Sequence, residues 1–221
     1  MLEIILNDIL SRRNEKNIEG MKRFGIDTNN TIGIGSQELY AIAKKIGKNH
    51  ELAVPLWRTG YHETRFIAAM IADPKLADRK LIDEWVNDFD NWAICDSVCG
   101  KFIEKVSFAE SLIPEWVLSE KEYVRRTAFT MIAWIAVHRK KYEDSHFNQY
   151  FDLIYKYSTD PRNYVYKAVN WALRQIGKRN INLARKAIEA SERIINDFKG
   201  QGKASWIARD AIRELKGKFF L

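Results

Sequence analysis

The sequence predicts an all-α fold of short helices, paired and stacked into a curved solenoid (an α-α superhelix). Three observations predict it. Apolar residues recur at intervals of three and four nearly everywhere, helix start and stop signals are frequent, and strand signals such as sustained alternation or an Asn-Gly hairpin turn are scarce. The 221 residues are 46% hydrophobic and include seven tryptophans. That composition excludes a disordered chain and allows about 70% of the unfolded surface to be buried.

The elements follow in order. The opening MLEIILNDIL lacks a basic start and carries Glu3 and Asp8, so it reads as a helix rather than a signal peptide and predicts a cytoplasmic protein. Gly33-Ile34-Gly35 leads to Ser36, placed to cap a helix from Gln37. AIAKKIGK (41–48) and LIDEWVNDF (81–89) each keep a single apolar stripe. Between them ETRFIAAMIAD (63–73) reads as a helix broken by Asp73-Pro74. Ile113-Pro114 starts another helix. Asp160-Pro161 supplies an N-cap and a proline whose missing N–H costs nothing in a first turn. Ten to twelve short helices are expected. With no Ser/Gly linker or break in composition, residues 1–221 are expected to form a single all-α domain. The longest nearly apolar run, Ala128 to Val137, is about half the ~20 residues of a membrane span, so no membrane association is expected.

A repeat is visible in the second half. Tyr123-Val124-Arg125-Arg126, Tyr164-Val165-Tyr166-Lys167 and Trp206-Ile207-Ala208-Arg209 share an aromatic, β-branched, any, basic pattern and start 41 and 42 residues apart, within the span of a HEAT-like two-helix unit. Stacked units would set Arg126, Lys167 and Arg209 along one side of a concave basic groove. The charge distribution agrees. Residues 1–120 carry 15 basic and 19 acidic side chains, whereas residues 121–221 carry 21 and 10. So uneven a balance favours a polyanionic partner, nucleic acid before a membrane surface.

Most motifs for chemistry are missing. The four histidines are scattered, with no HExxH or CxxC, so neither a metal nor another cofactor is expected. Gly200-Gln201-Gly202-Lys203 lacks the Walker spacing, and no serine sits in a GxSxG elbow. Cys95 and Cys99, four residues apart, suit packing on one helix better than a disulfide or a nucleophile. Two segments remain. In DNWAICDSVC (90–99), Trp92 and Asp96 share one helix face, the carboxylate lying among apolar neighbours; a core tryptophan beside a paired acid would look the same. In NYVYKAVNWALRQIGKRN (163–180), Lys167, Trp171, Arg174 and Lys178 form one stripe opposite Val165, Val169, Ala172, Leu173 and Ile176. A lone indole on a cationic stripe suits a groove that holds phosphates and touches sugars or bases.

Together, Trp92-x-x-x-Asp96, YVRRTAFTMIAWIA and KAVNWALRQIGKRN resemble the DNA alkylation repair (AlkD-like) DNA glycosylases, over roughly residues 20–215. The resemblance implies an all-α fold of HEAT-like repeats that binds double-stranded DNA. It also implies excision of cationic alkylated purines, of the 3-methyladenine and 7-methylguanine type, without a base-flipping pocket. By the same resemblance Trp92 and Trp171 flank the sugar of the lesion, Asp96 is the catalytic carboxylate, and Arg126 contacts the DNA backbone. Arg125, Lys167, Arg174, Lys178 and Arg209 are expected to join it there, and the protein is expected to act as a monomer. Two alternatives stay open: a non-catalytic protein that recognises bent, branched or damaged duplexes, and a protein-interaction scaffold.

Overall fold

The computed structural model describes residues 1–26 and 28–220. Among them thirteen α-helices and four short 3-10 turns occur, and no strand. They cluster into two compact units, Met1–Glu110 and Ser111–Leu221.

The first unit holds α1 (Leu2–Ser11), α2 (Glu15–Arg23), α3 (Ser36–Ile46), α4 (His50–Arg58), α5 (His62–Ile71), α6 (Arg79–Asn87) and α7 (Trp92–Lys101). Asn14, Asn49, Asp78 and Asn91 cap α2, α4, α6 and α7, each accepting a first-turn backbone N–H. Helix α3 departs from expectation. It starts at Ser36 itself, with Gly35 in the cap position and no side-chain cap bond. The core is built on Trp57 and Trp85, both fully buried and stacked 4.2 Å apart at 6°, with Phe89 and Phe102 against them.

A buried acid organises the segment before α3. Glu63, in the first turn of α5, is fully buried. Its carboxylate accepts N–H bonds from Ile32 (2.9 Å), Gly33 (2.6 Å) and Ile34 (3.3 Å). Gly33 sits at φ +85°, and a Cβ there would lie 2.3 Å from the Asn14 carbonyl oxygen, so only glycine fits.

The second unit holds α8 (Ile113–Trp116), α9 (Glu122–His138), α10 (Asn148–Tyr157), α11 (Asn163–Gly177), α12 (Ile181–Asp197) and α13 (Gly202–Phe219). Pro114 stands in the first turn of α8, as expected. Helices α9, α11 and α13 carry the three repeated segments, and each packs on the next. Tyr123 meets Tyr164 at 5.5 Å, and Tyr166 meets Trp206 at 5.5 Å. The repeated segments thus meet one another in space, Tyr123 through the matching Tyr164 and Trp206 through Tyr166, two residues further on. At the end of α11, Gly177 lets α12 and α13 approach, since a Cβ would fall 2.6 Å from Leu215 and 3.1 Å from Ala187.

Asp160 does not cap α11 as the Asp-Pro pair suggests. The cap position is Arg162, without a side-chain cap bond. The Asp160 carboxylate is sealed in (side chain 1% exposed) between Arg125 (2.8 Å) and Arg162 (2.5 Å). Burial alone would raise its carboxyl, but these bonds outweigh burial and hold it below its ordinary value.

Candidate functional site

Helix α7 positions the first pair of candidate residues. Asn91 accepts the Ile94 N–H at 3.0 Å and so starts the helix at Trp92. Ile94, Cys95, Val98, Cys99 and Gly100 take the buried face. Trp92 and Asp96, one turn apart, stay partly exposed, so Asp96 keeps contact with water despite its apolar neighbours. The Trp92 indole N–H donates to the Phe24 carbonyl at 2.9 Å, which fixes the ring against the end of α2. Beside it opens a groove of about 900 Å³ whose walls include Phe24, Phe66, Ile34, Leu39, Trp92 and His62. Burial pushes His62, which faces this groove, below the usual histidine value, against the opposing pull of Glu63 and Asp90.

Helix α11 carries the other indole. Trp171 is partly exposed and meets Trp134 of α9 edge-on, with centroids 5.4 Å apart at 80°. Trp134 in turn stacks on His138 one turn later, at 4.9 Å and 19°. Sequence reasoning passed over this support. The signal available was the four-residue spacing of Trp134, inside the nearly apolar run of α9, and His138, just after it.

The six cations expected on DNA separate into two groups. Lys167 and Arg209 are exposed. The other four are engaged inside the second unit. Arg126 is only 5% exposed, and its guanidinium donates to the Tyr164 carbonyl at 2.5 Å. Neighbouring Arg125 bonds to Asp160 and lies over the Tyr157 ring at 5.0 Å. On α11, Arg174 reaches Glu214 of α13 at 2.7 Å and Asp210 at 3.5 Å, and Lys178 pairs with the same Glu214. Burial would raise the Glu214 carboxyl, but Lys178 and Arg174 hold it below the ordinary value, so the cluster stays ionised. The lysine-arginine stripe read from α11 is thus partly neutralised by α13. Arg126, for its part, turns inward to a backbone acceptor, unlike the exposed Lys167 and Arg209.

No group of three or more metal-binding side chains occurs among the described residues, and no helix there is long and apolar enough to cross a membrane. Cys95 and Cys99 are both buried in α7.

Residues 5–215 match the family described as DNA alkylation repair enzyme. The chain belongs to that family. No curated protein matches it. A solved structure described as "a new family of proteins related to the HEAT-like repeat DNA glycosylases with affinity for branched DNA structures" superposes with a TM-score of 0.78 at 20% identity, covering 86% of this chain and 82% of that one. At that identity the likeness shows the fold, which is HEAT-like and all-helical. The family is one that acts on DNA.

Proposed function

We propose that the chain is a monofunctional DNA glycosylase that hydrolyses the N-glycosidic bond of cationic alkylated purines. In this proposal it acts as a monomer on double-stranded DNA in the cytoplasm and needs no cofactor. The observation that carries the proposal is the Trp92/Asp96 pair on α7, partly exposed one turn apart, in a member of the DNA alkylation repair family.

The chemistry needs little more than that pair. As the C1′–N bond lengthens, positive charge builds on the sugar. The bonding electrons pass to the purine nitrogen, cancel its charge, and the base leaves neutral without a general acid. A water oxygen then bonds to C1′, and its proton passes to the Asp96 carboxylate and on to solvent. Asp96 stabilises the sugar cation electrostatically and orients the water, and the Trp92 indole favours the cationic C–H groups beside it. Trp171 is assigned a sugar contact of the same kind. Exposed Lys167 and Arg209 would meet phosphates directly, whereas Arg125, Arg126, Arg174 and Lys178 would have to exchange their present partners.

The test is base release from alkylated duplex DNA. Asp96→Asn is expected to lower the rate on the order of 100-fold with DNA binding retained; equal release by variant and wild type removes Asp96 from the chemistry. A second function, recognition of branched DNA without excision, is favoured by the described affinity of the structural neighbour. Tight, salt-sensitive binding of branched DNA by a wild-type protein that yields no abasic product would establish it.

A further inference from the structure

Trp206 lies off the core of its helix. The buried residues of α13 are Ala204, Ile207, Ala208, Ala211 and Leu215. Trp206 instead shares a stripe with Lys203, Arg209 and Arg213, at spacings of three and seven. It is 45% exposed, forgoing the burial its neighbours enjoy, and it touches Tyr166 edge-on at 86°. Cations surround this pair. Lys203 lies 5.2 Å over the Tyr166 ring, and Lys167, beside Tyr166 on α11, is exposed. Arg209 and Arg213 line a shallow pocket of about 440 Å³ with Trp206. Asp210, the acid on the same stripe, pairs with Arg174 and Arg213.

A half-exposed indole between cations matches one ligand chemistry well. Phosphates answer the Lys and Arg groups, and a base face answers the ring. In an intact duplex the base faces are stacked on each other and only their edges reach the grooves. An indole face therefore stacks on a base only where bases are unpaired. We propose that Trp206 is a stacking platform for an unpaired DNA base, with Arg209 and Arg213 on the flanking phosphates, so that the second unit holds a single-stranded arm extending from a duplex. This rests on DNA as the partner and not on base excision.

The experiment compares a blunt duplex with the same duplex carrying a single-stranded tail that contains 2-aminopurine. Trp206→Ala is expected to weaken binding of the tailed DNA about tenfold, as removal of a stacking aromatic does, and to change blunt-duplex binding by less than about twofold. Trp206→Phe, which keeps a ring, should retain most of the affinity. Binding of wild type to the tail should change the 2-aminopurine emission, and Trp206→Ala should abolish that change. Equal effects on both DNAs, or no effect on either, overturn the proposal. So does an unchanged 2-aminopurine signal with wild type, a readout that stands even if the alanine variant fails to fold. A wild-type protein that binds neither DNA defeats the DNA reading itself; one that binds the blunt duplex but ignores the tail defeats only the platform.

Discussion

The two units satisfy their buried carboxylates differently. In Met1–Glu110, Glu63 is fully buried and held by three backbone N–H donors. In Ser111–Leu221 cations do the corresponding work. Arg126 bonds a carbonyl, Arg125 and Arg162 enclose Asp160, and Arg179 donates to Ala136 and Tyr142 carbonyls while lying 4.3 Å over Phe147. The second unit has 21 basic side chains against 12 acidic ones, the first 15 against 17. Part of the second unit's positive charge is therefore structural, and charge counted along the chain overstates what a DNA backbone would meet.

The largest effect should come from the first unit. Glu63→Ala leaves three buried N–H groups without their acceptor and should cost roughly 3 to 5 kcal/mol, read from the urea midpoint, with Glu63→Gln recovering part of it. A variant as stable as wild type would erase the contrast between the units.

Next comes Asp160. Its carboxyl is held below its ordinary value of 3.8, so below that pH the unfolded chain takes up a proton that the native state refuses. Its stabilisation is thus complete above the ordinary value and is lost as pH falls through the lower native one. Asp160→Asn should cost about 2 to 3 kcal/mol at neutral pH, discounted for the partly exposed arginines, and should flatten the acid limb of the stability profile. An unchanged acid limb would show that the arginine cage contributes nothing.

The smallest effect sharpens the comparison most. Glu214→Gln removes the carboxylate shared by Arg174 and Lys178. DNA affinity should rise a few-fold and the salt slope steepen by about one. No change in slope would mean that these two cations do not reach phosphate even when released.

Much was legible from local rules. The break at Asp73-Pro74, the proline start of α8 and the apolar stripes follow from short-range sequence, whereas the caps expected of Ser36 and Asp160 did not form. The repeated Tyr123, Tyr164 and Trp206 segments also showed which helices become neighbours. The cation stripe on α11 was correct as a face of one helix. Its neutralisation was not visible, because Glu214 lies 40 residues beyond Arg174. The same holds for Glu63, which reads as an ordinary first-turn acid until its distance of 31 residues to Ile32 is closed by folding.

What the sequence determined by itself was the helical class, the repeat and the family, because hydrophobic period and motif are written directly along the chain. Which charges face water and which hold the fold together was decided only in three dimensions. A guanidinium or carboxylate takes its partner from whichever helix packs beside it, and that neighbour is not encoded in the few residues around it.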